Sequence, residues 1–296
     1  MAMLERFEGI CPALATPLNE DETVDKAGYR RLLRRVLDAG VHGVVVLGSA
    51  GEFAALSDEQ KERAIQIVVS EVAGQVPVIA GTGEPGTRRA VAMTRRAAKL
   101  GADAAMVVPP YYNPLSNAGV VAHYRALAEA GDLPLVLYNI PGCTKVTIDV
   151  KVASELAAEP AIIGIKDSGG NFGYFQSLVQ QLPAGFTVVT GSDNLLFASL
   201  AVGGSGSIGP GANVAPQWFV GLWNAAKEGR TEEAWEIERR ILAMSGIYRH
   251  GGFHPGLKGA LSRLGVCKPI VAAPQSAVNE AQLQAIGNLL GEVGLL

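Results

Sequence analysis

Eight short apolar runs, each closed by turn formers, constrain this chain more than any other feature. They are Gly9 to Thr16, Gly43 to Gly48, Val76 to Gly81, Ala104 to Pro109, Pro134 to Asn139, Ala161 to Lys166, Phe186 to Gly191 and Gly204 to Gly209. They begin about 20 to 35 residues apart. Runs this short and β-branched read as buried parallel strands. Between them lie segments with helical spacing, such as Tyr29, Leu32, Leu33, Val36 and Leu37, or Ala64, Ile65, Ile67, Val68 and Val72. Strict alternation of eight strands with helices predicts an α/β fold of the (β/α)8 TIM-barrel type. A doubly wound sheet is the rival; it needs the chain to reverse at one edge, which the even spacing does not suggest.

Helix boundaries agree with that reading. Ser57-Asp58-Glu59-Gln60 has the form of a capping box, and Gly40 and Gly101 suit left-handed helix ends. Past residue 213 the strand pattern stops. Trp218 to Lys227, Thr231 to Ser245 and Gln275 to Leu290 read as helices, so residues 1–213 are expected to form the barrel and 214–296 a C-terminal helical appendage packed on it.

Composition excludes several function classes. A net charge of -3 over 296 residues leaves no basic footprint for nucleic acid and no polybasic membrane face. No charged segment followed by an apolar one opens the sequence, and no apolar run approaches the ~18 residues of a spanning helix; a cytoplasmic protein is expected. Cys11, Cys143 and Cys267 are far apart and form no C-x-x-C. His42, His123, His250 and His254 are scattered, without ligand spacing. No metal is expected, and Glu52 and Asp167 read as structural acids.

In a barrel the chemistry lies on the loops after the strands. Those loops collect Thr16, Gly48-Ser49-Ala50-Gly51-Glu52, Thr82, Tyr111-Tyr112-Asn113, Tyr138, Lys166-Asp167-Ser168, Gly191-Ser192-Asp193 and Ile208. Lys166 ends an apolar run and so carries its amine at a buried strand terminus. Desolvation disfavours an ammonium ion, and a neutral amine attacks carbonyl carbon to give a Schiff base; the alternative is a strand-end lysine that snorkels to solvent. Tyr138 is either a proton-passing phenol or a core tyrosine. The Gly48–Glu52 turn can aim amides at an anion or be a plain strand-to-helix turn. Tyr111-Tyr112 suits an interface or a pocket wall.

Gly48-x-x-Gly51-Glu52, Pro110-Tyr111-Tyr112-Asn113, Tyr138-Asn139-Ile140-Pro141, Gly164-Ile165-Lys166-Asp167-Ser168 and Gly191-Ser192-Asp193, in this order, resemble the dihydrodipicolinate synthase and N-acetylneuraminate lyase family. The resemblance runs from about Gly9 to Pro216, and the helical tail fits it. It implies a cofactor-free class I lyase in which Lys166 forms a Schiff base with pyruvate or another 2-oxo acid. Tyr138 would shuttle protons, and Ser49 would link it to Tyr112, donated by the neighbouring subunit of a tight dimer. Ser49 and Ala50 would hold the carboxylate, with Gly191 and Ile208 lining the site. A homotetramer, a dimer of dimers, is the implied assembly.

The departures bear on the second substrate. Where lysine-pathway synthases carry an arginine for the carboxylate of aspartate semialdehyde, this chain has Cys143; losing that charged fork costs a few kcal/mol of binding, by the usual size of charge-assisted bonds. Ala50 replaces a second hydroxyl, and Asp58, Pro85 and Arg89 stand where the feedback-lysine contacts would be. Lys166-Asp167-Ser168-Gly169-Gly170 is similar to the 4-hydroxy-2-oxoglutarate aldolase branch, which makes Ser168 a candidate substrate contact. The expectation is an aldolase for a 4-hydroxy-2-oxoglutarate-like compound or a 2-oxo-3-deoxy sugar acid. The alternatives are a 4-hydroxy-tetrahydrodipicolinate synthase with Arg249 supplying the missing charge, a 2-oxo-3-deoxy sugar acid dehydratase, and a ligand-binding barrel without turnover.

Overall fold

The computed structural model describes residues 7–296. Its strands are β1 (Gly9–Ile10), β2 (Val44–Val46), β3 (Val78–Gly81), β4 (Ala104–Val107), β5 (Leu135–Asn139), β6 (Ile162–Asp167), β7 (Thr187–Thr190) and β8 (Gly206–Ser207). Each falls inside one of the apolar runs of the sequence, except that β6 continues one residue past Lys166, to Asp167. Every strand pair is parallel, and the order is β1-β8-β7-β6-β5-β4-β3-β2. The ring closes between β1 and β2 through the bridge of Ala13 with Val45, where Leu14 N donates to Val45 O and Val45 N to Pro12 O, both at 2.9 Å. A sequential order that returns to its start excludes the doubly wound sheet.

Around the strands run α1 (Lys26–Asp38), α2 (Asp58–Val72), α3 (Thr87–Lys99), α4 (Asn117–Ala130), α5 (Pro141–Thr144), α6 (Val150–Leu156), α7 (Phe172–Gln181) and α8 (Leu196–Ala201). Their apolar faces cover the sheet: Tyr29, Leu32, Leu33 and Val36 of α1 are all buried. The capping box is present, with Gln60 N donating to Ser57 Oγ and Ser57 N to Gln60 Oε1. Gly40 and Gly101 have φ of 78° and 91°, as a left-handed helix end requires.

After β8 come α9 (Pro216–Lys227), α10 (Thr231–Met244), α11 (Phe253–Arg263) and α12 (Glu280–Glu292). The first two match expectation. Two differences concern the rest. The last helix begins at Glu280, because Asn279 caps it by accepting from Gln282 N at 2.9 Å, and residues 275–279 stay outside it. The segment 253–263, not expected to be helical, is a helix whose residues Pro255 to Leu261 are all buried. Among the described residues no helix is long and apolar enough to cross a membrane.

Candidate active site

Parallel pairing sets the centre of the site. Tyr138 on β5 lies in register with Lys166 on β6, so both side chains leave the sheet on the same side, into the barrel. Lys166 is 3% exposed, and its Nζ sits 4.2 Å from the centroid of the Tyr138 ring. The amine does not snorkel: the buried reading of this lysine is the one observed. Tyr138 OH and Ser49 Oγ are 3.4 Å apart, a contact at the long limit of hydrogen bonding.

The strand ends are locked so that the lysine is held in place. Asp167 accepts from Asn139 Nδ2 at 2.8 Å and from Gly169 N at 2.9 Å. Burial pushes its carboxyl above the usual carboxylate range, and these two bonds pull it back. Ser168 N donates to Asn139 O at 2.8 Å, and Gly191 N to Asp167 O at 2.7 Å. Gly191 has no room for a side chain, since a Cβ there would lie 1.9 Å from Ser168 Oγ and 2.6 Å from Lys166 Cε. Close approach of β7 to the lysine thus demands glycine at this position. Ser168 Oγ faces the same space, and Ile208, fully buried just after β8, is tied to β7 by its N donating to Thr190 O.

On the opposite side Ser49–Gly51 forms a 3-10 turn that leads to Glu52 in the left-handed region, φ 58°. The leading amides of such a turn have no partner within it, which leaves the Ser49 and Ala50 N–H groups as donors not used by the turn. Three elements brace the turn. Thr16 Oγ donates to Gly51 O at 2.7 Å. His254 Nε2, from α11, donates to Ser49 O at 2.8 Å; the acceptor is a carbonyl, so this nitrogen carries the proton. Glu52, 1% exposed in its side chain, pairs with Lys258 Nζ at 2.6 Å and accepts from Ala272 N at 2.7 Å. His254 and Lys258 are one helical turn apart, on one face of α11. This face is the part of the site that sequence reasoning missed. The available signal was the i, i+4 pair of basic residues inside an apolar segment.

Cys143 is exposed on α5 and lines a cavity beside Ser49, together with His254 and Gln275. Arg249 is exposed at the end of the 3-10 turn Ser245–Arg249 and is not on that lining. Tyr112 is 89% exposed with φ 81°, so within one chain it is not brought to Tyr138 and Ser49. Among the described residues no group of three His, Cys, Asp or Glu side chains is arranged to hold a metal ion.

Two further acids are buried, Asp193 within electrostatic reach of Lys166 and Glu238 within reach of Asp193. Burial pushes Asp193 up to about 7, with the Gly211 amide and Lys166 pulling it down. Burial also pushes Glu238 up to about 7; the Phe197 amide opposes the shift and Asp193 adds to it. Each carboxyl has one buried oxygen with no hydrogen-bond partner among the described residues. Both values lie above those of an unfolded chain, roughly 4. The folded state therefore binds more protons than the unfolded one between roughly pH 4 and pH 7, and stability falls as pH rises through that window. Urea midpoints at pH 5 and pH 8 should show the loss, and Asp193→Asn with Glu238→Gln should flatten it. Equal slopes in wild type and double variant would refute this assignment.

Comparison with known proteins places this geometry. A family model described as the dihydrodipicolinate synthetase family matches residues 6–293. The chain is 36% identical over 294 residues to a 4-hydroxy-tetrahydrodipicolinate synthase of Methanopyrus kandleri, covering 98% of both chains. It is also 36% identical over 290 residues to an uncharacterized DapA-like lyase of Halobacterium salinarum, covering 98% of this chain and 95% of that one. Among solved structures, YagE of E. coli, a prophage protein of the dihydrodipicolinic acid synthase family in complex with pyruvate, superposes with a TM-score of 0.94 at 31% identity, covering 98% of this chain and 99% of that one.

Proposed function

The chain belongs to the dihydrodipicolinate synthetase family, the class I carbon–carbon lyases that work through a pyruvate Schiff base, and we propose that it is an aldolase joining or releasing pyruvate through an imine on Lys166. The observation that carries this reading is the buried Lys166 amine against the Tyr138 ring. Pyruvate carboxylate is held by the Ser49 and Ala50 amides. The amine attacks the 2-oxo carbon, the oxygen leaves as water, and loss of a proton from the methyl carbon gives an enamine. That carbon forms the new bond to an aldehyde, whose oxygen takes a proton; water then releases the product. Cleavage is the same path reversed. The protonated imine is the electron sink, so the residues present need no organic cofactor.

Tyr138 moves the protons. Its phenol stands between the amine and Ser49 Oγ, where it can accept from the carbinolamine and donate to the departing oxygen. Tyr138→Phe keeps the ring that covers Lys166 and removes only the hydroxyl, and kcat should fall about 10²- to 10³-fold, the usual worth of a positioned acid–base group. Borohydride trapping with pyruvate should still label the variant, more slowly. Turnover within threefold of wild type would remove Tyr138 from the mechanism.

A second reading is favoured by the synthases among the relatives: condensation of pyruvate with aspartate semialdehyde. Cys143 speaks against it, since a thiol cannot replace a charged fork on a carboxylate, and Arg249 does not face the cavity. Assaying the two condensations side by side separates the readings. Exposure of Tyr112 suits a hydroxyl donated to a second copy of the chain, in the dimer of dimers that the resemblance implies.

A further inference from the structure

The cavity beside Ser49 has a volume of about 240 Å³. It shares Ser49, Phe53 and Val108 with a small void over Tyr138 inside the barrel. Tyr138 lines that void and its ring lies 4.2 Å from Lys166 Nζ, so the far half of a 2-oxo acid held on that amine would reach this space through the void. Phe53, Val108, Tyr111, Ile140 and Cys143 form much of its wall, and among the described residues no lysine or arginine lines it. Glu52 is the one acid on that lining among the described residues, and its carboxylate oxygens are engaged, by the Lys258 ion pair and by Ala272 N. A carboxylate brought here would meet no cation, only apolar walls and the Glu52 carboxylate, which disfavours it. A cavity of about 150 Å³ with apolar walls holds benzene, so one aromatic ring or its aliphatic equivalent fits.

The cavity's polar lining residues are Ser49, Glu52, Thr144, His254 and Gln275. His254 spends Nε2–H on Ser49 O, and its Nδ1 lies 2.8 Å from Gln275 Nε2. The ring nitrogen can then act only as acceptor toward the Gln275 amide, which fixes the orientation of that amide. Among the described residues Gln275 has no side-chain partner but His254, whose Nδ1 also lies 3.1 Å from Gln275 Oε1; an unprotonated nitrogen gives that oxygen no donor, so the oxygen and the second amide hydrogen can serve a ligand.

We infer that this cavity selects an uncharged aldehyde of about benzaldehyde size, and that Gln275, oriented by His254, is the specificity-determining residue that hydrogen-bonds a hydroxyl on it. The inference rests on the proposed imine at Lys166 and adds the class of the second substrate. In the condensing direction the enamine carbon bonds to the aldehyde carbon, the carbonyl electron pair moves to oxygen, and that oxygen takes a proton to become the 4-hydroxyl. Hydrolysis of the imine frees a 4-hydroxy-2-oxo acid, with no oxidant or reductant consumed.

The test uses the full chain with pyruvate in excess. Borohydride reduction and mass spectrometry first establish the imine; an unlabelled protein refutes the Lys166 reading itself. Given the imine, kcat/KM is measured for benzaldehyde, its three monohydroxy derivatives, glyoxylate and aspartate semialdehyde. At least one hydroxybenzaldehyde should exceed both carboxylated aldehydes by about tenfold or more, a difference of 1.4 kcal/mol. Gln275→Leu should lower the ratio of that hydroxybenzaldehyde to benzaldehyde about tenfold. Cys143→Arg should shift the ratio of glyoxylate to benzaldehyde upward by a similar factor. Both positions are exposed, and imine formation reports that each variant is folded. A wild-type preference for carboxylated aldehydes, or ratios that neither substitution moves in a trappable protein, overturns the inference.

Discussion

Replacing Lys166 by methionine is expected to abolish borohydride trapping of pyruvate and to lower turnover by on the order of 10⁴-fold or more, the scale seen when a covalent nucleophile is removed. Methionine is the informative substitution. Its unbranched stem follows the lysine path between Gly191 and the Tyr138 ring, where Lys166 Cε already fills the space that a Cβ on residue 191 would need. A thioether over an aromatic face is a favourable contact, so the fold should survive while the nucleophile is lost. Thermal unfolding should move by only a few degrees. Activity within tenfold of wild type would mean that the carbon–carbon step does not pass through this amine. The rival of a binding barrel without turnover predicts a different pattern: wild type labelled by pyruvate and borohydride, yet silent with every aldehyde and every 4-hydroxy-2-oxo acid.

Much of this was legible in the chain because strand ends obey local rules. Lys166 and Tyr138 close apolar runs that β-pairing then places in register, and the small residues after each run mark where the backbone must turn. Glu52 and Asp167 behave as the structural acids they were read to be, held by Lys258 and Ala272 N in one case and by Asn139 and Gly169 in the other. Helix α11 was not legible. Phe253-His254-Pro255-Gly256 reads as a breaker by propensity, but proline is tolerated in the first turn of a helix. The glycines are contact points: a Cβ on Gly256 would lie 2.5 Å from Ile247 O, and one on Gly259 2.8 Å from Ile286 Cδ1. Tertiary packing therefore overrides propensity here, and the His254 contact to the Ser49–Gly51 turn came with it. Tyr112 marks a different boundary: it is 89% exposed, and a contact it would make to a second chain is not positioned by one sequence read alone.

Removing one member of the Glu52–Lys258 pair is expected to be the most damaging change to stability. Both side chains are 1% exposed and meet at 2.6 Å. Burial pulls the Lys258 ammonium below its ordinary range, and the neighbouring carboxylate pulls it back up. Glu52→Ala leaves that ammonium without a counter-charge in the core, and the Ala272 amide without its acceptor. Breaking a buried pair in this way costs about 3–5 kcal/mol, which corresponds to roughly 10 °C in Tm at this chain length. Lys258→Met, which strands the carboxylate instead, should cost about as much. Combining Lys258→Met with Glu52→Gln removes both charges and keeps an acceptor for Ala272 N, so the double variant should recover part of the loss and be more stable than additivity allows. Function reports on the same contact. Glu52 directly follows the Ser49–Gly51 turn, and Lys258 shares a helix face with His254. A single variant assayed below its Tm should therefore show a raised KM for pyruvate, with kcat changed less. Single variants as stable as wild type, or a double variant no better than the sum of the two losses, would show that α11 does not hold the Ser49–Gly51 turn through this pair.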